Sequence, residues 1–388
     1  MSTPSFRLPP PDHPVDVLMV AGEHSGDEHA ARMVRELRAK NPSIVVAALG
    51  GPALAEAGAQ LLYDLTESSV VGLVEVLKSY SFFKHLFSEV LRWIETYQPR
   101  AVCFVDYPGM NLRLAYAMRE RRLSLRGGGK IRTLYYISPQ IWAWKAGRRF
   151  KMARDLDAMA VIFPFEVNCY SDTMLSVEFV THPFVASDYT APVRYDPAGP
   201  MLLLPGSRKQ AVARIFPVLL KGFQLFGERD GVVLYPSDDI LAVLRSANPP
   251  SNVRLLPILE NSSETRSPIA ASAVLTSSGT MSMHCALAGI PGAIVYRANP
   301  LTYVLGKMLV KVKYLGIANL LLNEPMYPEF IQHAATPRAL AADLRDVIHD
   351  PARRARTADQ AVRLRAMLGQ EGAGSAADWL GRQLTLIR

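Results

Sequence analysis

Short, almost uninterrupted apolar runs alternate along this chain with stretches of helical periodicity, and that alternation restricts the fold more than any other feature. Residues 15–21 form one run, broken by Gly22; a second ends at Leu49-Gly50-Gly51; a third, 101–105, stops at Asp106; others fill 134–137 and 158–163. Helical patterns lie between them, as at 27–40 and 73–97. Strands that are apolar on both faces and separated by helices belong to parallel sheets covered on both sides. A polar, proline-containing stretch at 186–200 reads as a linker, and the pattern then restarts. Strands are expected at 201–204, 232–235, 273–276 and 293–296, with helices such as 210–226 and 281–288. From Pro337 onward the chain reads as helical and rich in Arg and Ala. The sequence itself does not repeat, but the architecture does. The reading is α/β: two doubly wound, Rossmann-like domains facing each other across a cleft.

Composition narrows the class. In 388 residues, 49% are apolar and 20% charged, enough to bury a sizeable core and too apolar for a disordered chain. Forty-three Lys and Arg against thirty-five Asp and Glu leave +8, which suits an anionic partner: nucleic acid, a phosphorylated ligand or an acidic membrane surface. Three distant cysteines (Cys103, Cys169, Cys285) indicate neither a disulfide framework nor a Cys-type zinc site. Residues 1–14 are Pro-rich and polar, without a signal peptide's apolar core, and no run of about 20 apolar residues suggests a spanning helix. A soluble or surface-bound protein of a reducing compartment is expected. Nothing resembles an RNA-binding signature, so nucleic acid drops out.

In open parallel sheets ligands bind beyond the C-terminal strand ends, so the informative loops follow the apolar runs. Gly22-Glu23-His24-Ser25-Gly26-Asp27 either brings backbone N–H groups near a ligand or is a tight turn with Ser25 or Asp27 as helix cap. It is not the dinucleotide fingerprint. Asp106, at a strand end, either takes a proton from a hydroxyl nucleophile or caps a helix beginning near Asn111. Ser138-Pro139-Gln140-Ile141-Trp142-Ala143-Trp144, with Lys145, Arg148, Arg149 and Lys151 just after, is either core or a ring-and-cation platform for a sugar or base. In the second half, Leu204-Pro205-Gly206-Ser207-Arg208 and Ser278-Gly279-Thr280 each follow a strand and open a helix, and both suit a diphosphate.

Two segments bear on membranes. Residues 80–93 carry Phe82, Phe83, Leu86, Phe87, Leu91 and Trp93 with interspersed Lys84, His85 and Arg92. Residues 301–322 mix Tyr303, Leu305, Leu309 and Tyr314 with Lys307, Lys311 and Lys313. Core packing is the default for each; a basic, aromatic helix also suits an anionic interface. Asp155-Leu156-Asp157 is no metal pair, because alternate residues at a strand start point to opposite faces, and the histidines lack H-E-x-x-H spacing. No metal site is expected.

Taken in order, these loops resemble the lipid A disaccharide synthase family, inverting glycosyltransferases, from about residue 15 to about residue 341. Residues 22–27 are similar to G-E-A-S-G-D, and Gly50-Gly51-Pro52 to the following G-G-P. Val71-Gly72-Leu73-Val74-Glu75-Val76-Leu77 looks like M-G-x-x-E-V-L, and residues 136–144 like Y-x-S-P-x-x-W-A-W. Phe163-Pro164-Phe165-Glu166 resembles x-P-F-E; residues 204–208 match L-P-G-S-R, and 278–280 the S-G-T of a longer motif. Asn319-Leu320-Leu321, then Glu329 and Gln332, resemble N-L-L and E-x-x-Q.

The resemblance implies a GT-B fold whose last helices cross back to the first domain: an acceptor and membrane domain at 1–185 completed by about 367–388, and a UDP-sugar domain at 186–366. It implies a metal-independent reaction, with no cofactor, peripheral on the cytoplasmic face of the inner membrane. There UDP-diacylglucosamine would be the donor and diacylglucosamine 1-phosphate the acceptor. Asp106, matching the first carboxylate of D-x-P-D-F-N, becomes the candidate general base. Gly206, Ser207, Arg208, Ser278, Gly279, Thr280, His284, Asn319, Glu329 and Gln332 would form the nucleotide and diphosphate site. Glu23, Ser25, Asp27, Ser138, Trp142 and His182 would line the acceptor side, and Phe82, Phe83, Phe87 and Trp93 would meet acyl chains and bilayer.

Four positions depart from the family pattern: His24 for Ala, Gly109 for the second Asp, Thr181 for Gly before His182-Pro183, and His284 for the Glu closing S-G-T-A-T-L-E. That Glu is expected to accept from the ribose diol, and a neutral histidine offers one acceptor where a carboxylate offers two oxygens. The alternatives are a paralogue with changed donor or acceptor, a UDP-sugar epimerase or hydrolase, and a non-catalytic membrane-surface module.

Overall fold

The structure, a computed structural model, describes residues 6–66, 76–186, 189–258, 267–299, 312–370 and 372–386, with 76–81 described as backbone only. Most of the expected M-G-x-x-E-V-L counterpart (Val71 to Glu75) and the first half of the second membrane candidate, including Tyr303, Lys307 and Lys311, lie outside the described residues. The chain divides into two compact units, Met1–Pro183 with Gln370–Arg388, and Phe184–Gly369.

The first unit holds seven parallel strands: β1 (Val17–Ala21), β2 (Val46–Gly50), β3 (Gln60–Asp64), β4 (Ala101–Val105), β5 (Arg132–Tyr136), β6 (Ala158–Val161) and β7 (Ser176–Phe179), in the order β3-β2-β1-β4-β5-β6-β7. Between them run α1 (His24–Lys40), α2 (Pro52–Glu56), α3 (Val76–Tyr97), α4 (Pro108–Glu120) and α5 (Arg148–Asp155). Every residue of β1, β2, β4 and β6 is buried, so the expected apolar runs are the strands covered on both faces. The sequence reading missed β3 and β7, because edge strands are half-buried and lack such a run. The core joins strand residues such as Val20, Phe104 and Tyr135 to Leu86, Trp93 and Leu114 on the helices.

The chain returns to this unit with the helix Ala376–Thr385, which packs on α1 and buries Trp379 and Leu380. Ser375 and Asp378 form a capping box at its start, and Lys40 reaches Asp378 at 2.6 Å. Thr181, the departure before His182, donates its N–H to the Gly374 carbonyl at 3.1 Å and helps dock this returning segment.

The second unit holds β8 (Val193–Tyr195), β9 (Met201–Leu204), β10 (Gly231–Tyr235), β11 (Val253–Pro257), β12 (Ile269–Ala271), β13 (Ala273–Thr276), β14 (Gly292–Tyr296) and β15 (Glu329–Ile331). Six of them form a parallel sheet ordered β11-β10-β9-β13-β14-β15, while β8 and β12 pair separately. The expected linker at 186–200 therefore contains a strand, β8, held by β12. Helices α6 (Lys209–Phe226), α7 (Asp238–Ser246) and α8 (Thr280–Leu287) follow β9, β10 and β13, and Pro337–His349 and Pro351–Leu368 supply the expected Arg- and Ala-rich helical end. In each six- or seven-stranded sheet the order of strand addition reverses at the first strand, between β1 and β4 in one unit and between β9 and β13 in the other. Those two switch points are where such sheets bind ligands.

Candidate active site

At the first switch point the loop after β1 carries Glu23 and the loop after β4 carries Asp106. The two loops interlock. A Cβ on Gly22 would sit 2.2 Å from the Tyr107 ring, so only glycine leaves the ring its place. Asp106 and Tyr107 both take left-handed φ values, 45° and 47°, a conformation that costs about 1–3 kcal/mol per residue unless the surroundings enforce it. They do enforce it. The Asp106 N–H donates to Tyr136 O at 3.0 Å, and its carbonyl accepts from the Tyr135 hydroxyl at 2.6 Å and from Asn111 Nδ2 at 2.8 Å. Asn111, fully buried, also donates toward Val20 O and Val105 O at 3.3 Å, tying the ends of β1 and β4 together.

The Asp106 side chain is left half-buried, and it caps no helix: α4 begins at Pro108 without a side-chain cap. Burial, and secondarily the Glu23 charge, push its carboxyl up to about 6, against a smaller opposing effect of the Tyr107 N–H. A carboxylate of that strength is ionised at pH 7 and a better proton acceptor than an ordinary aspartate. Gly109, where the family pattern has a second Asp, is exposed, and a Cβ there meets nothing within 4 Å. Its lack of a carboxylate is thus not imposed by packing.

Several expected acceptor residues are placed inside the fold. Asp27 is 2% exposed, and its carboxylate accepts from the N–H groups of Gly51 (2.7 Å), Ala53 (3.0 Å) and Leu54 (3.3 Å). It caps α2, not its own helix, which corrects both the ligand-facing and the self-capping readings. The G-G-P turn follows from this: a Cβ on Gly51 would stand 2.7 Å from Asp27 Oδ2. His182, also 2% exposed, lays its ring against Phe163 at 5.4 Å. Ser138 is buried, pairs with the Tyr170 hydroxyl at 2.7 Å and donates to Pro139 O. These three shape the wall and do not line an open surface. Glu23, Ser25 and Trp142 remain partly accessible, and His24 is exposed on the first turn of α1.

Trp142 reveals a residue that sequence reasoning passed over. Its indole N–H donates to Glu166 Oε1 at 3.1 Å, and its ring stands edge-on to Phe165 at 5.5 Å. Glu166 is 1% exposed and also accepts from Phe163 N. Burial pushes its carboxyl up to about 8, only partly offset by the Trp142 bond, so the group is neutral at pH 7. The x-P-F-E motif was its only signal.

On α3, Phe82, Phe83 and Phe87 are half-buried, with Phe82 6.2 Å from Phe6 and 6.1 Å from Tyr63. Trp93 is a correction: it is fully buried, and its indole donates to Pro9 O at 2.9 Å, so it belongs to the core and meets no acyl chain. Asp155 and Asp157 are likewise spoken for. Asp155 ends α5 and pairs with Arg119 and Arg154, while Asp157 accepts from Thr133 N at 2.7 Å.

At the second switch point the two phosphate-compatible turns lie side by side, because β9 and β13 are neighbours and Ser277 N donates to Leu204 O at 2.8 Å. Gly206 takes φ +111°, a value that favours glycine. Ser207, Arg208, Gly279 and Thr280 are exposed, and Ser278 is half-buried. Among the described residues no carboxylate pairs with Arg208. The starts of α6 and α8 thus present backbone N–H groups beside each other, with the exposed Arg208 at the head of α6, a set of donors that suits an anion.

His284, one turn into α8, is held by Tyr189, whose hydroxyl bonds to its Nδ1, and its ring lies 4.0 Å from that of Phe184. Asn319 corrects its expected role. It is fully buried, donates to Tyr327 O (2.7 Å) and Glu329 Oε1 (2.9 Å), and accepts from Tyr327 N. Glu329 accepts from Leu315 N and Gly316 N, capping the helix Ile317–Leu322, and Gln332 pairs with both backbone groups of Ala298. This trio positions loops of the second unit and spends most of its hydrogen-bonding capacity there. Among the described residues no helix is long and apolar enough to cross a membrane.

Comparison with known proteins identifies the family and the fold. A family model described as Lipid-A-disaccharide synthetase matches residues 17–380. The lipid-A-disaccharide synthase of Geobacter metallireducens is 35% identical over 390 residues, spanning 95% of this chain and 98% of its own. Lipid-A-disaccharide synthase 1 of Legionella pneumophila (strain Philadelphia 1) is 34% identical over 374 residues, spanning 92% and 94%. Among solved structures, the glycotransferase of kitacinnamycin superposes with a TM-score of 0.57 at 16% identity, over 96% of this chain and all of its own. UDP-GlcNAc 2-epimerase from Neisseria meningitidis gives 0.57 at 10% identity over the same shares. At those identities the structural likeness is one of fold, the two-domain GT-B architecture.

Proposed function

The chain belongs to the lipid-A-disaccharide synthetase family, and from that membership we propose how its residues carry out the transfer. A lipid-A-disaccharide synthase joins two acylated glucosamines. The 6-hydroxyl of 2,3-diacylglucosamine 1-phosphate attacks C1 of UDP-2,3-diacylglucosamine, a β-1,6 linkage forms, and UDP leaves.

In the proposed mechanism the Asp106 carboxylate takes the proton of the 6-hydroxyl as its oxygen bonds to C1. The C1–O bond to UDP breaks, and its electron pair passes to the diphosphate. Charge growing there is met by Arg208 and by the N–H groups of the turns at 206–208 and 278–280, donors already fixed by the fold that need no reorganisation as the charge develops. Glu23, Ser25 and Trp142 form the acceptor wall, with Asp27, Ser138 and His182 bracing it from behind. His284 faces the nucleotide side of α8 in this scheme.

The observation that carries the reading is the Asp106 carboxyl. It sits at a sheet switch point on a backbone fixed by Asn111 and Tyr135, with its proton affinity raised toward neutrality. We further propose that the protein works peripherally on the cytoplasmic face of the inner membrane, with Phe82, Phe83 and Phe87 of α3 toward acyl chains. UDP release from the two acylated substrates tests the transfer, and co-sedimentation with anionic vesicles, lost in a Phe82→Ser/Phe83→Ser variant, tests the membrane contact. UDP formed from donor alone would contradict the transfer and favour hydrolysis.

A further inference from the structure

The eleven residues from Trp144 to Arg154, in the loop after β5 and along α5, contain five cations and no carboxylate. Their commitments differ. Arg149 forms a two-pronged pair with Asp172 at 2.7 and 2.6 Å, and Arg154 pairs with Asp155 at 2.8 and 3.0 Å. No ion pair among the described residues takes Lys145 or Arg148. Instead Lys145 Nζ lies 4.3 Å from the centre of the Trp144 ring, and the Arg148 guanidinium 5.6 Å from it.

That arrangement leaves donors unspent. A cation over a ring face keeps its N–H groups available to an oxygen acceptor. Trp144 is 39% exposed, so ring and cations are open to a ligand. Lys145 also holds a left-handed φ of 55°, strain of the sort that gathers at binding sites.

The place of the cluster matters as much as its chemistry. It lies on the loop that carries Ser138 and Trp142, beyond the C-terminal end of β5. The strand's own Tyr135 hydroxyl donates to Asp106 O, and the Arg148 charge acts on both Tyr135 and Tyr170. Arg148 therefore stands within electrostatic reach of Tyr135, which holds the candidate base, and Lys145 shares the Trp144 ring with it.

We propose that Lys145 and Arg148, beside the Trp144 ring, bind the phosphate monoester of the acceptor sugar. The proposal rests on the transfer reading above. It gives the local positive charge a substrate: a dianionic monoester takes two charge-assisted hydrogen-bond donors, and the indole covers an apolar face of the sugar or its acyl chain. Trp142 and Asp106 then orient the far end, where the hydroxyl reacts.

The test uses the full chain in neutral detergent micelles, with a 1-phosphate acceptor and a 1-O-methyl acceptor. Arg148→Ala and Lys145→Ala are expected to raise KM for the phosphorylated acceptor about tenfold each, the loss of one charge-assisted bond, with a much smaller change in kcat and none in donor KM. On the 1-O-methyl acceptor the wild type should already show the raised KM, and the variants should add nothing. Arg148→Lys, which keeps the charge, should recover most of the loss and exclude misfolding as its cause. Equal losses on both acceptors, or no loss on either, would overturn the proposal. A loss seen only with anionic vesicles would assign the cations to lipid headgroup phosphates and overturn it too. Should the wild type release no UDP, the transfer reading fails, and quenching of tryptophan fluorescence by the two acceptors still decides the site. Phosphate-dependent binding that Arg148→Ala weakens supports it, and phosphate-independent binding refutes it.

Discussion

Asn111 Nδ2 donates to the carbonyl oxygen of Asp106 at 2.8 Å from a fully buried position five residues along the chain. The bond holds a left-handed Asp106 whose carboxyl is thereby kept at the end of β4. Asn111→Ala removes it, together with the weaker bonds to Val20 and Val105. The expected loss is about 1–3 kcal/mol of stability, since three strand-end carbonyls lose a buried partner. Turnover should fall at least tenfold while UDP affinity stays put. Thermal unfolding and calorimetric UDP titration read the two effects separately, and unchanged turnover would refute the positioning role.

Asp27 predicts a purely structural phenotype. Asp27→Ala strips the N–H groups of Gly51, just before α2, and of Ala53 and Leu54 within it of their acceptor, and a cost of about 2–3 kcal/mol is expected from leaving them buried. In a unit of this size that is roughly a 5–10 °C drop in Tm. Activity per folded molecule at low temperature should persist. A variant as stable as the wild type would contradict the capping role.

Glu166 makes stability depend on pH in a definite direction. Its folded-state pKa, about 8, lies above the ordinary 4.5, so between those values the folded state holds a proton that the unfolded state has lost. The stabilisation is whole below about pH 4.5 and drains away as pH rises through about 8, by at most about 1.4 kcal/mol per pH unit. Glu166→Gln keeps the Oε1 acceptor for Trp142 and cannot ionise. Urea unfolding of this variant at pH 5.5 and pH 8 should show a smaller decline than the wild type; an identical decline would exclude Glu166 as its source.

Asp106 sets the acidic limb of the reaction. Ionisation near pH 6 generates the base, so kcat/KM should fall about tenfold per pH unit below that point. Glu23 contributes to the upward shift, and Glu23→Gln should move the limb to lower pH. A limb that moves up, or fails to move, would show that Glu23 does not act on the base.

How much of this was legible in the sequence follows from burial. The runs that became β1, β4, β6 and β9 announced themselves because both faces are covered; edge strands β3, β7 and β15 alternate weakly and did not. Motif residues were easier to find than to interpret. Asp27, Asn319 and Glu329 are polar residues in ligand-like loops, yet they spend their hydrogen bonds within the fold, mostly on backbone groups distant in sequence, a use that becomes visible only when those groups are placed. Trp93 misled for the converse reason. Its spacing suited a membrane-facing stripe, but the same spacing suits a core, and an acceptor at Pro9 let the indole be buried. Asp106 and Arg208 do follow β4 and β9, as the apolar runs before them implied, since a buried parallel strand is easy to see in sequence and its following loop is found with it.

The central claim is that Asp106 is the base of an acyl-glucosamine transfer. UDP release from UDP-2,3-diacylglucosamine and 2,3-diacylglucosamine 1-phosphate, measured for wild type and Asp106→Asn alongside UDP affinity, tests it most directly. The account predicts a fall of about 100-fold or more in kcat with UDP affinity within about twofold of wild type. An Asp106→Asn enzyme that turns over at near the wild-type rate would contradict it.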